Sequence, residues 1–112
     1  ADDLEEIALR LTTLYLEQER FDQVLAWQNE EVETVVTRWN IARALAALGK
    51  TEEAVSAYQE LYEDLKDNPE FLEAYVYLLR EAGDVTKARE VANQYLAIVP
   101  DDVQMQTLYD SL

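Results

Sequence analysis

Apolar residues along the chain recur at the three- and four-residue spacing of amphipathic helices. Ile41, Leu45 and Leu48 fall on one face of such a helix. Gly49 follows directly, and glycine accepts the left-handed backbone conformation that ends many helices. The pattern predicts an all-α fold of about seven helices, and the loops are so short that consecutive helices must be antiparallel. The predicted helices span residues 3–18, 21–29, 33–48, 52–66, 69–82, 85–99 and 102–111.

Polar residues at the predicted helix ends support these boundaries. Thr51 is the expected N-cap of the fourth helix. Glu52 and Glu53 place negative charge in its first turn, where the charge interacts favourably with the helix dipole. Asn68 followed by Pro69 is a typical cap and first helical residue, so the fifth helix is expected to begin at the proline.

The helical pattern repeats with a period of 34 residues over most of the chain. A third copy lies upstream at a shorter step, since Leu11 precedes Ile41 by 30 residues. The first unit is therefore expected to have lost about four residues near the end of its second helix. Periods of this length are typical of stacked helical repeats. The 34-residue pairs include Leu45 with Leu79, Gly49 with Gly83, and Ala54 with Ala88.

These units resemble the tetratricopeptide repeat, a 34-residue helix–turn–helix with a recurring pattern of aromatic, small and proline positions. The resemblance covers nearly the whole chain, as units 5–34, 35–68 and 69–102 followed by a capping helix or half-repeat, 103–112. It implies an α–α superhelix in which the first helix of each unit lines a concave groove. We expect a single domain that is a piece of a longer protein. The third unit carries the motif in Leu72, Tyr75, Val76, Leu79, Ala88, Ala92, Tyr95 and Pro100.

Composition narrows the possible chemistry. The net charge is −15, from 24 acidic and nine basic residues, and such a field repels nucleic acid and anionic membranes, so neither is an expected partner. The chain has no cysteine and no histidine, which removes thiol chemistry and the commonest general base and metal ligand. Its two glycines are too far apart to form a phosphate-binding loop. We therefore expect neither an enzyme nor a bound cofactor or metal.

The resemblance assigns partner binding to first-helix residues that face the groove. Three of the nine basic residues, Arg10, Arg43 and Arg80, fall in this set beside Trp39 and Tyr77. Arginine with exposed aromatic rings is a common composition of binding hot spots. Either the arginines bind carboxylates of a peptide while the rings cover its apolar side chains, or the arginines pair with glutamates of neighbouring helices and Trp39 is packed. The predicted groove residues are Leu9, Arg10, Thr13, Val36, Trp39, Asn40, Arg43, Tyr77 and Arg80.

One binding mode of the family is disfavoured by the residues themselves. Tetratricopeptide co-chaperones bind the acidic tail of heat-shock chaperones with a clamp of Lys, Asn, Asn, Lys and Arg. Only Asn40 stands in a matching slot, and the other four are occupied by Leu9, Thr13, Glu70 and Ala74. Glu70 would repel such a tail.

The sequence thus predicts a protein-interaction module, a scaffold or adaptor that holds a peptide or helix of a partner protein in its groove. Two alternatives stay open. In the first, the chain is a structural or self-association segment that forms a homodimer through exposed end helices. In the second, it is an accessory domain of a larger regulator or enzyme. Its acidic, cysteine-free composition suits a bacterial cytoplasmic protein.

Overall fold

The computed structural model describes residues 4–28 and 34–112, and within these ranges it contains seven helices and no strand. The predicted all-α helical-repeat fold is confirmed. Five of the seven helices agree with the predicted boundaries to within one residue at each end, because their caps and glycines are strong local signals. The helices are α1 (Leu4–Glu17), α2 (Phe21–Leu25), α3 (Val35–Ala47), α4 (Thr51–Leu65), α5 (Pro69–Ala82), α6 (Val85–Ile98) and α7 (Val103–Ser111).

Three expectations about helix ends are wrong. Helix α3 begins at Val35, with Thr34 as its N-cap, two residues later than predicted. Helix α2 ends at Leu25 rather than at residue 29, and a turn follows it to Gln28; residues 29–33 lie outside the described ranges. Thr51 is not the N-cap of α4 but its first helical residue. Asn68 is the N-cap of α5, as predicted: its side chain accepts hydrogen bonds from the backbone N–H groups of Glu70 and Phe71.

The turn inside each repeat has the same backbone geometry in all three units. Gly49 and Gly83 have φ of 80° and 85°. Glu19, which lies 30 residues before Gly49, has φ of 58° and is the single non-glycine with positive φ in the described ranges. After each of these residues, the next backbone N–H donates to a carbonyl five residues earlier, from Arg20 to Tyr15 in the first turn. The step from this turn to the next is 30 residues, so the shortening lies between Glu19 and Gly49. The predicted position of the lost residues, near the end of the second helix, lies outside the described ranges.

Contacts divide the chain into two compact units, Ala1–Leu61 and Tyr62–Leu112. In the first unit, small residues lie fully buried where helices approach closely, namely Ala8, Ala42 and Ala54. A larger side chain at such a position would separate the helix axes. Helices α1, α2 and α3 pack on one another in this unit.

In the second unit, α5 supplies most of the large core side chains and packs closely on α6. Ala88 and Ala92 on α6 are fully buried, which allows this approach. Helix α7 packs on α6 with Met105 and Leu108. The residues that α5 contributes to the core are Phe71, Leu72, Tyr75, Val76, Leu78 and Leu79.

A short hydrogen bond fixes the start of α7 to α6. The Tyr95 hydroxyl donates to Asp102 Oδ2 at 2.6 Å, and Asp102 Oδ1 accepts from the backbone N–H of Met105 as the N-cap of α7. The bond to the carboxylate, together with burial, raises the pKa of Tyr95 to about 12. The same bond, followed by the Met105 N–H, lowers the pKa of Asp102.

We expect this bond to make stability fall at both ends of the pH scale. Because the folded pKa of Tyr95 is raised, its contribution is complete below the ordinary tyrosine pKa of about 10 and is lost as pH rises towards 12. Because the folded pKa of Asp102 is lowered, its contribution is present above the ordinary aspartate pKa and is lost as pH falls. Thermal melts across pH should show that the melting temperature of Tyr95→Phe declines less than that of the wild type between pH 10 and 12. Tyr109→Phe is the control, and an identical alkaline decline in Tyr95→Phe and wild type would contradict the prediction.

Candidate interaction site

In the first unit, three side chains of α3 and α4 form a stack around Trp39. The Arg43 guanidinium carbon lies 3.7 Å from the centroid of the Trp39 ring. The indole Nε1–H of Trp39 donates to the Tyr58 hydroxyl at 3.2 Å. Burial raises the pKa of Tyr58, against the opposing effect of its hydrogen bonds with Trp39 and Arg43. The three residues therefore form one connected group, in which the charged end of Arg43 lies on the Trp39 ring and is hydrogen-bonded with Tyr58.

Trp39 is packed rather than open to solvent, since its exposed fraction is 8%. Of the two alternatives left by the sequence, the structure supports packing for this ring. Its flat face is covered by the guanidinium of Arg43, one helical turn later. Trp39 therefore positions Arg43, and a partner molecule would meet the arginine before the indole.

Asn40 joins α3 to α1 through a buried polar network. Its Nδ2 donates to Thr12 Oγ1 at 3.1 Å and to Thr13 Oγ1 at 3.0 Å. The Thr12 hydroxyl in turn donates to the carbonyl oxygen of Ala8 at 2.7 Å. Because Asn40 and Thr12 are buried, each of these bonds replaces one that water would otherwise make. The predicted groove residue Asn40 is thus mainly a link between helices.

The remaining predicted residues of the first unit differ in accessibility. Val36 is exposed, whereas Leu9 and Thr13 are half-buried. Arg10 is exposed and pairs with Glu6 at 2.7 Å, four residues earlier on the same helix rather than on a neighbouring one. An exposed pair of this kind stabilises a helix by about 0.2–0.5 kcal/mol, so the Arg10 side chain can leave Glu6 for a ligand at little cost.

In the second unit, Tyr77 and Arg80 form a similar but more open pair on α5. The Arg80 guanidinium carbon lies 5.3 Å from the centroid of the Tyr77 ring. Both residues are exposed. Both side chains are therefore accessible to solvent, and their role in binding stays a prediction.

Tyr58 is the member of the stack that sequence reasoning missed. Its spacing with Ala54 and Leu61 places it on the buried face of α4, and that pattern predicts only a core tyrosine. The contacts with Trp39 and Arg43 join residues 15 or more positions apart. No local periodicity reveals a contact over that separation.

Two further features concern chemistry and membranes. Among the described residues, no three acidic side chains come together in an arrangement that could hold a metal ion. Within the same ranges, every helix is too short or too polar to cross a lipid bilayer.

Comparison with known proteins identifies the repeat family. Residues 36–102, more than half of the chain, match the family described as "YpiA-like, C-terminal tetratricopeptide repeats". No curated protein matches the chain closely enough to name a relative. Tetratricopeptide repeats are in general protein-interaction modules and typically lack enzymatic activity. The helical repeats, their turns and this match together show that the chain belongs to the YpiA-like C-terminal tetratricopeptide-repeat family.

Proposed function

We propose that the chain binds a peptide or helix of a partner protein through a groove surface built on its first helices, with Arg43 reading a carboxylate of that partner. The observation that carries the proposal is the stacked guanidinium of Arg43 on Trp39. We call the contribution of α1 and α3 the interaction face; Tyr77 and Arg80 on α5 are a second proposed contact. The interaction face consists of Leu9, Arg10, Thr13, Val36, Trp39, Asn40 and Arg43.

Arg43 is prepared for a carboxylate by its surroundings. Stacking on Trp39 and the hydrogen bond with Tyr58 hold the guanidinium in place, so less side-chain entropy is lost when a ligand binds. The planar group retains further N–H donors at its edge, in the fork geometry that matches a carboxylate. Within the described ranges no ion pair involves Arg43, although the chain carries 24 acidic residues.

The other residues of the interaction face divide between contact and support. Val36, Asn40 and Arg43 are spaced by four and three residues, so they share one face of α3. The exposed Val36 side chain supplies apolar area beside the charge. Asn40 holds α3 against α1 through its threonine bonds. A ligand with an apolar residue about two helical turns, or roughly 10 Å, from a carboxylate would meet both the exposed Val36 and the half-buried Arg43.

The charge of the whole chain restricts the partner. A net charge of −15 repels strongly acidic segments at long range, whereas one carboxylate at Arg43 is favoured at short range. We therefore propose a ligand with a single acidic group, or a free C-terminal carboxylate, in an otherwise neutral or basic segment.

Arg43→Gln should weaken binding of such a ligand about tenfold, because one charge-assisted hydrogen-bonded contact is lost. Ligands can be selected from a random peptide library displayed on phage with the full chain as bait, and affinities measured by calorimetry on synthetic peptides. We expect the selected peptides to share one Asp, Glu or C-terminal carboxylate.

Arg89→Gln is the matched control, since Arg89 also lies over an aromatic ring, at 4.9 Å from that of Tyr109, but belongs to α6. Its affinity for the selected peptides should equal that of the wild type. Equal affinities of Arg43→Gln and wild type, with both variants folded, would remove Arg43 from the site.

A second candidate function is self-association, and an apolar stripe on α1 favours it. Leu4, Ile7 and Leu14 are exposed, and Leu11 between them is half-buried. Their spacing of three and four residues places them along one face of the helix. Contiguous exposed apolar area of this kind is typical of a surface that another protein covers, and we propose a second copy of the chain as its occupant.

Sedimentation equilibrium from micromolar to millimolar concentration tests this second candidate. The wild type is expected to show a rising average mass, and Ile7→Glu to remain monomeric, because a charge on the stripe must lose its hydration when the stripe is covered. Val103→Glu is the control, since Val103 is exposed on α7. A wild-type mass that stays monomeric over the whole range excludes the dimer and leaves the peptide-binding proposal intact.

A further inference from the structure

A cleft of about 310 Å³ lies in the first unit, between α3, α4 and the turn after α2. Its apolar lining residues are Ile41, Leu45, Ala57 and Leu61. Ile41, Leu45 and Leu61 are almost fully buried, so the apolar area that the cleft offers is small. None of its lining residues belongs to the interaction face, and the inference is independent of the proposed function.

The cleft is a property of this repeat rather than of the repeat architecture. At a distance of 34 residues, Arg38 corresponds to Leu72 and Ala57 to Val91. In the second unit Leu72 and Val91 are both buried in the core. In the first unit the smaller Ala57 stands where valine stands in the second. The polar Arg38 side chain lines the cleft, is 42% exposed and lies 4.0 Å from Glu60.

The rim of the cleft is acidic. Glu53 and Glu60 line it on α4 against the single base Arg38. The two glutamates are seven residues apart on one helix, which places them on the same face at about 10 Å, two helical turns. An extended segment of about three residues covers this distance. The Arg38–Glu60 pair is exposed and long, so it opposes an incoming cation only weakly.

We infer that this cleft binds one apolar side chain, of about the size of leucine, from a basic segment of a partner protein. The apolar side chain enters over Ile41 and Leu61, and flanking Lys or Arg residues pair with Glu53 and Glu60. The choice of a basic segment follows from charge complementarity, locally from the two glutamates and at long range from the net charge of −15.

The test uses the full chain, labelled with ¹⁵N, and the capped peptide Lys-Lys-Leu-Lys-Lys as probe. Titration should shift the backbone amide signals of Ser56, Ala57 and Glu60, which line the cleft. The peptide Lys-Lys-Ala-Lys-Lys should bind about tenfold more weakly, because it lacks most of the apolar surface to be buried. The peptide Glu-Glu-Leu-Glu-Glu should leave these signals unchanged.

A double variant, Arg38→Leu with Ala57→Val and here called the filled variant, provides the decisive comparison. Ala57→Val adds volume at the cleft, and Arg38→Leu replaces a polar lining side chain by the apolar residue that the second unit buries at this position, so the fold should tolerate both. We expect the double variant to lose the leucine-dependent part of the binding. Lys50→Leu removes the same charge outside the cleft lining and should bind as the wild type does.

Three results would overturn the inference. One is equal binding of the leucine and alanine peptides, which reduces the effect to general attraction by an acidic surface. Another is an unchanged leucine preference in the filled variant. The last is a shift of the cleft signals with protein concentration alone, which assigns the cleft to a second copy of the chain. Arg43→Gln should bind the basic peptide normally, so failure here is distinguishable from failure of the proposed groove.

Discussion

Trp39→Ala is expected to lower the free energy of unfolding of the first unit by about 3–5 kcal/mol, the cost of truncating a large buried aromatic side chain. The ring is 8% exposed, its Nε1–H bonds to the Tyr58 hydroxyl, and Arg43 packs on its face. Removing it leaves a cavity and deprives both neighbours of a contact. Urea denaturation followed by circular dichroism measures the change.

Two control variants test how much of this loss comes from the buried aromatic ring and from its position. Trp39→Phe retains an aromatic ring and should cost about 1–2 kcal/mol less than alanine, since part of the apolar contact survives. Trp27→Ala removes the other tryptophan, which is only half-buried in the turn after α2, and should cost less than half as much as Trp39→Ala. Equal losses for Trp39→Ala and Trp27→Ala would contradict the central packing position of Trp39.

The loss of stability expected for Trp39→Ala also affects tests of binding. A variant at Trp39 loses affinity through unfolding as well as through any lost contact, so its binding data alone cannot locate a site. Arg43→Gln changes a side chain at the surface of the same stack and keeps the indole in place. It is therefore the more informative substitution for the interaction face.

Tyr75→Ala is the second substitution with a large expected effect, about 3–5 kcal/mol in the second unit. The Tyr75 side chain is almost fully buried, and its ring lies 5.8 Å from that of Phe71 and 6.5 Å from that of Tyr62, centroid to centroid. Aromatic pairs at these distances add to the effect of buried area. Burial also raises the pKa of Tyr75.

The repeat itself supplies the matched control for Tyr75. Tyr109 stands 34 residues later, in the same register of α7, but is half-buried with Arg89 over its ring. Tyr109→Ala should cost about 1 kcal/mol, in the range of a surface aromatic with a cation partner. Chemical denaturation of both variants measures the two losses in free energy of unfolding. Similar losses at the two positions would show that the position in the repeat, and not the degree of burial, determines the loss.

The register of α7 also bears on whether this helix caps the array. Leu72 and Val76 on α5 are fully buried, and the residues 34 positions later on α7 are Gln106 and Asp110. Those two side chains are exposed and bond to each other, from Gln106 Nε2 to Asp110 Oδ1 at 3.1 Å. We propose on this basis that α7 is a capping helix, since another helix packed on it there would bury these two polar side chains.

The helices themselves were predictable because their signals are local. Helix α5 has the predicted bounds, since Asn68 and Pro69 define its start and Gly83 its end within a few residues of sequence. The end of α2 was predicted too late, because the apolar pattern continues past Leu25 and no stop signal follows it in the sequence. The left-handed Glu19 was recoverable only through the repeat register, as its side chain gives no sign of that conformation.

The sequence by itself determined that this protein consists of tetratricopeptide-type helices. The hydrophobic period and the placement of glycine are local signals, and the repeat length follows from comparing the sequence with itself. Only the tertiary structure decided that Trp39 is buried, that its indole bonds to the Tyr58 hydroxyl, and that a cleft lies between α3, α4 and the turn after α2. These features depend on which side chains meet across helices, whereas Arg43 and Trp39 are in contact one turn apart within α3. Helical periodicity shows which face a residue occupies, but the packing of the opposing helix determines whether that residue is covered, stacked or left open.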